Sequence, residues 1–157
     1  MIFNTRKTYN VSREVTFTGA KQDVFAGISR YDLYPKFIAG VSDVTILSSE
    51  DDKVTVKFDL NLIRKFSYIL NMEHTDDQFI RWHLKSSDFL TCNSGLWQLR
   101  SSGKNETIAR YELEIGFKLF IPKGVIKKIT DSSLPMMFKG MQAVIDCHKT
   151  NKNKSEK

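Results

Sequence analysis

Hydrophobic and polar residues alternate along most of this chain, and the alternation stops near residue 117. Val11, Arg13, Val15 and Phe17 share one face of a first strand under the two-residue period. Gly19 breaks that pattern. Ala20 to Arg30 then reads as a short helix with an apolar stripe of Val24, Phe25 and Ile28. A second short helix follows at Tyr31 to Phe37, with Asp32 as its cap and Pro35 tolerable in its first turn. From Val41 to Phe117 the chain predicts six strands in succession. Val54, Val56, Phe58, Leu60 and Leu62 point one way, and Thr55, Lys57, Asp59 and Asn61 the other. Phe66, Tyr68, Leu70 and Met72 continue the apolar face, followed by Ile80, Trp82 and Leu84, then Trp97 and Leu99. Ala109, Tyr111, Leu113, Ile115 and Phe117 form the last inward row. Polar turns at Ser48–Asp52, His74–Asp77 and Ser101–Asn105 separate the strands, as in an antiparallel meander with one dry and one wet face.

Beyond residue 117 the period changes. Pro122 sits where a helix can start. Val125, Ile126 and Ile129, then Leu134, Met137, Phe138, Met141, Ile145 and His148, recur at spacings of three and four. A helix to Lys149 would be roughly 40 Å long. Pro135 lacks the N–H that would bond the Asp131 carbonyl, which predicts a kink or break near Asp131 to Ser133 and makes that point a candidate gate. The predicted architecture is therefore α+β: about seven antiparallel strands curved around one long C-terminal helix, with two short helices after strand 1. An apolar pocket lies between sheet and helix.

Composition adds bounds. A chain of 157 residues suits one domain, taken here as residues 1–149, followed by a frayed basic tail at 150–157. Of the net charge of +6, the last ten residues carry +3, from Lys149, Lys152, Lys154 and Lys157 against Glu156. Such a tail allows peripheral contact with an anionic membrane or RNA. No apolar run reaches the roughly 20 residues of a membrane span, and no apolar stretch follows Arg6 and Lys7 within Met1 to Asn10. With Cys92 and Cys147 read as free thiols, the expected location is cytoplasmic.

The chain resembles the START-like, polyketide cyclase/dehydrase (SRPBCC) superfamily, in particular its coenzyme Q-binding-protein-like branch. The resemblance rests on Asp32, Tyr34, Pro35 and Phe37, on Gly95-Leu96-Trp97, on Thr107 to Tyr111 and on Pro122, with element order matching over residues 10–149. It implies a helix-grip fold holding a hydrophobic ligand. That fold hosts carriers, sensors, cyclases and hydrolases, so it does not fix the activity.

Candidate ligand-binding residues are the inward aromatics Phe58, Tyr68, Trp82, Trp97, Tyr111 and Phe117, and the helix residues Met137, Phe138 and Met141. Aromatics with polar tips and adaptable methionines suit the wall of a small-molecule site. His74, His83 and His148 are read as lying on a turn, an outward strand face and a helix end, where His148 would favour the dipole. They have no ligand spacing, so no metal is expected. Neither a nucleophile elbow nor a phosphate loop occurs, and no catalytic residue or cofactor is assigned. Alternation sends Asp59, Arg81, His83, Arg110, Glu112 and Glu114 outward; Glu73 and Asp88, near strand ends, stay ambiguous. The leading expectation is binding or transport of a lipid, quinone or polyketide-like molecule. Alternatives are a small cyclase or dehydratase, which needs an inward acid or base, and a ribosome-associated binder, which the resemblance and basic charge allow.

Overall fold

The computed structural model describes residues 7–155. Residues 1–6, which held part of the leader reading, and Glu156 and Lys157 of the basic tail lie outside the described residues. Strand β1 (Thr8–Thr18) leads into helix α1 (Lys21–Ile28), a 3-10 turn (Tyr31–Leu33) and helix α2 (Tyr34–Phe37). Six strands follow: β2 (Val41–Glu50), β3 (Lys53–Asn61), β4 (Lys65–Thr75), β5 (Phe79–Ser87), β6 (Leu90–Ser101) and β7 (Glu106–Phe117). Helix α3 (Lys123–Lys128), a π-helical turn (Ile129–Ser133) and helix α4 (Leu134–Ser155) complete the chain.

The seven strands form one antiparallel sheet in the order β1-β7-β6-β5-β4-β3-β2. Strands β2 to β7 meander as their short polar turns require, while α1 and α2 carry the chain from one sheet edge to the other. Asp51 and Asp77 take left-handed backbone conformations at two of the turns (φ 50° and 55°), which aspartate tolerates better than most residues. Register sets the inner face. Phe58 lies opposite Tyr68, Val56 opposite Leu70, Met72 opposite Trp82, and Trp97 opposite Tyr111. The same parity makes Val56, Phe58, Leu60, Leu70, Ile80 and Leu99 buried, while Arg81, His83 and Arg110 stay exposed.

Helix α4 is clamped near its middle, between Gly140 and Ile145. The Gln142 amide accepts from Thr18 N–H (2.9 Å) and donates to the Thr18 carbonyl (3.0 Å), pairing with the free edge of β1. Gly27 lets α1 approach until a Cβ placed there would sit 2.7 Å from Ile145 Cα, and Gly140 makes similar room for the Phe37 carbonyl of α2. Thr107, fully buried, donates its hydroxyl to the Gly19 carbonyl at 2.8 Å and ties β7 to the same end.

Several expectations are refined. The break before Pro135 is a π-helical turn, in which Leu134 N–H bonds the Ile129 carbonyl five residues back; proline at 135 offers no donor to the Asp131 carbonyl, so the hydrogen-bond register shifts there. The tail expected to fray from residue 150 is helical as far as Ser155, with Lys152 reaching Asp23 at 3.3 Å. His148 is consequently mid-helix rather than at a helix end, and its Nδ1 lies 3.2 Å from Arg30 Nη1. No helix is long and apolar enough to cross a membrane among the described residues.

Gly27→Val places two methyls against the α4 backbone and should cost about 2–3 kcal/mol in urea unfolding. Gly124→Ala in α3, where a Cβ meets nothing within 4 Å, should cost nothing. Equal stability of Gly27→Val and wild type would rule out the close α1–α4 contact.

Candidate functional site

Because α4 is held at the end where β1 finishes, its other end and the π turn stand off the sheet. The gap is a cavity of about 240 Å³. Its floor is the inner face of β3 to β7; its roof is Ile126, Ile129, Thr130, Ser133, Leu134, Met137 and Met141. Eight of the nine residues singled out in the sequence lie on this wall: Phe58, Tyr68, Trp82, Trp97, Tyr111, Phe117, Met137 and Met141. Phe138 does not. Its ring packs edge-on against Tyr111 (5.4 Å) and Trp97 (6.0 Å), so it supports the wall without facing the void. The helical stripe is wider than the cavity, and part of it is spent on the sheet.

The sequence reading passed over Asn93, Tyr31 and Tyr34. Asn93 is one of two buried polar residues among the described residues and sits on the wall. Its Oδ1 accepts from the Trp82 indole N–H at 3.0 Å, and Tyr68 lies on the same wall. Gly95 makes this possible. It faces Trp82 across β5 and β6, and any Cβ there would overlap the indole ring. The Tyr111 hydroxyl has no hydrogen-bond partner among the described residues, yet no side-chain polar atom is both buried and unsatisfied, so it opens into the void. Burial pushes the Tyr68 and Tyr111 hydroxyls above their ordinary value of 10, and for Tyr68 the Asn93 side chain works against that rise. Both stay protonated at neutral pH and act as donors rather than bases. Tyr34 directs its hydroxyl to the Ile28 carbonyl.

His74 is not on a turn. It is the last inward position of β4, half-buried, with Nε2 at 2.7 Å from the Tyr31 hydroxyl and the Phe25 ring edge-on at 5.9 Å. It lies beyond the far end of the cavity and is not on its wall. Glu73 and Asp88, ambiguous in sequence, are both exposed. Among the described residues the wall contains no carboxylate, histidine, cysteine, lysine or arginine, and no group of His, Cys, Asp and Glu could hold a metal ion. A second concavity lies on the outer sheet face beside Arg81, Ser94 and Glu112; it is open and of mixed polarity, with Leu96 and Leu113 also lining it.

Residues 20–142 match the family of polyketide cyclase / dehydrase and lipid transport proteins. The chain belongs to this family. Its fold is that of the START-like superfamily. A START superfamily protein from Mycobacterium smegmatis superposes with a TM-score of 0.76 at 18% identity, covering 87% of this chain and 97% of that one. The ZhuI aromatase/cyclase from Streptomyces sp. R1128 gives 0.77 at 10% identity, over 89% and 94%. A protein from Thermus thermophilus gives 0.72 at 15% identity, over 88% and 98%. At these identities the likeness is one of fold. No curated protein matches the sequence. Members of this family bind hydrophobic ligands or act as cyclases, and the helix-grip arrangement expected from the sequence is the one found.

Burial holds the His74 imidazole below its usual value of 6.5, with Asp52 opposing the shift. A depressed histidine pKa means that the unfolded chain binds the proton more readily, so its stability contribution is complete above about pH 6.5 and is lost as pH falls through that value. Subtracting the stability–pH curve of His74→Gln from that of wild type removes the carboxylate contributions common to both. The difference should be flat above pH 7 and decline as pH falls below about 6.5; a difference that rises on acidification would contradict the buried, neutral His74.

Proposed function

We propose that this protein binds a small, flat, hydrophobic molecule bearing one hydrogen-bonding oxygen, and holds it without chemical change. The observation that carries the reading is the enclosed wall, apolar apart from hydroxyls and one amide and free of any group that titrates near neutral pH. Shape supports a limit on size. About 150 Å³ suffices for benzene, so 240 Å³ suits a two-ring compound or the head of a quinone. A longer acyl or prenyl chain must leave through the mouth, where the π turn, Leu62 and Ile63 line the opening. The polar ligand atom belongs at Tyr111, whose hydroxyl is free to donate, next to the Trp82–Asn93 hydrogen bond that fixes the indole on the floor.

A cyclase of the kind named for the Streptomyces neighbour is the alternative. Proton abstraction requires a base poised near the working pH, and tyrosines held above their ordinary value by burial are poor ones. Binding alone needs no such group.

The π turn also supports a path for admission. A π-helical turn has a weaker backbone ladder than an α-helix, and here it precedes a proline and roofs the cavity. Motion of α3 and this turn would open the site without disturbing the clamp on α4 at Gly140 and Gln142.

Titration with 1-naphthol, followed by quenching of Trp82 and Trp97 fluorescence, should give saturable binding with Kd on the order of 10 µM. Tyr111→Phe should weaken 1-naphthol by about 2–10-fold, the worth of one hydrogen bond, and leave naphthalene unaffected. Trp82→Asp should abolish both while far-UV circular dichroism stays native. No quenching by either compound in wild type, together with a ligand-free mass in native mass spectrometry, would refute the reading.

A further inference from the structure

The end of the sheet where the cavity opens differs from the rest of the surface. Antiparallel pairing brings the β3–β4 turn, the β5–β6 turn and the segment after β7 to one rim. Contacts join them: Lys118 N–H bonds the Phe89 carbonyl (2.8 Å), Lys118 Nζ bonds the Ser87 carbonyl (2.7 Å), and the Arg64 guanidinium lies 5.3 Å from the centre of the Phe89 ring. From this rim large apolar side chains project into solvent. Phe120 is 87% exposed and Leu119 58% after β7, and on the β3–β4 turn of the same rim Leu62 is 44% and Ile63 37% exposed. Large apolar groups clustered on a surface mark an interaction site, and these flank the mouth of an apolar cavity that Leu62 and Ile63 themselves line.

Charge selects the partner. Arg64, Lys65, Lys118, Lys123, Lys127 and Lys128 are exposed around these tips, and none is in an ion pair among the described residues. The neighbouring acids are few: Asp88 accepts the Ser67 amide, Asp59 is 3.8 Å from Lys57, and Asp131 lies on the π turn. Apolar tips ringed by cations match the boundary between acyl chains and anionic headgroups. An acidic protein or a nucleic acid would meet the cations but gives Phe120 and Leu119 nothing to enter. We propose that this rim docks on an anionic lipid bilayer, with Leu62, Ile63, Leu119 and Phe120 entering the headgroup region and the cavity mouth facing the lipid. The basic tail lies at the opposite end, where Lys152 pairs with Asp23 beside the β1–α1 corner, and has no part in this contact. The docking deepens the binding reading, because a bilayer both supplies and receives hydrophobic molecules.

Co-flotation with vesicles of phosphatidylcholine containing 30% phosphatidylserine tests it, with pure phosphatidylcholine as the comparison. Wild type should float with the anionic vesicles and not with the neutral ones, and high salt should weaken the association. Leu119→Ser with Phe120→Ser, both exposed, should weaken flotation about tenfold or more, as should Lys123→Glu with Lys127→Glu. Lys152→Glu with Lys154→Glu should float as wild type does. Indifference to vesicle charge, or full flotation of the Leu119/Phe120 variant, would overturn the proposal. So would binding to poly(U) that outcompetes the vesicles, which would assign the cations to nucleic acid. Cavity occupancy is read separately: 1-naphthol should bind the Leu119/Phe120 variant as tightly as wild type, so a failure of docking with quenching intact leaves the binding reading standing.

Discussion

The close approach of α1 and α2 to the middle of α4 governs the rest of this structure. Gly27 and Gly140 remove the side chains that would hold these helices apart, and Gln142 completes the clamp by pairing with the backbone of Thr18. A helix fixed at one end of a strongly curved sheet cannot follow the floor to the other end. The space that opens beneath the π turn is therefore a consequence of where the helix is attached. Side chains then determine its character: large aromatics on the floor, methionines and isoleucines on the roof, and one buried amide.

That amide organises the floor. An indole N–H and a phenol in an apolar interior both need partners, and leaving them without one costs more than the bond itself contributes. Asn93 takes the indole N–H, with Gly95 providing room for the ring that reaches it. With Trp82 held in this way, the Tyr111 hydroxyl beside it is open to a ligand. The same rigidity that fixes the floor contrasts with the roof, whose backbone ladder is interrupted by the proline at 135.

Much of this was legible in the two-residue period. It placed all six anticipated strand side chains on the cavity wall and sent Arg81, His83 and Arg110 outward, while the helical spacing added Met137 and Met141. It was followed too short a distance. Continuing β4 from Met72 by one step reaches His74, whose polar side chain at a strand end reads as a turn although it is an inward position, and continuing β6 backwards from Trp97 reaches Gly95 and Asn93. Phe138 shows the complementary error, since helical spacing tells which stripe faces the sheet and not which part of the stripe faces a void. The helical tail escaped notice because its lysines and asparagines carry no apolar period, while its first turns continue directly from a well-packed helix. Tertiary contacts such as Lys152 to Asp23 are invisible to periodicity.

The central claim is that the void under the π turn is where a ligand resides. Methionine methyl groups report on it directly, because Met72, Met137 and Met141 line the cavity whereas Met136 points to solvent and is 55% exposed. Methyl NMR of protein labelled at methionine, titrated with 1-naphthol, should move the resonances of Met72, Met137 and Met141 along a common saturation curve and leave Met136 in place. Shifts confined to Met136, or no shifts at all, would contradict the account.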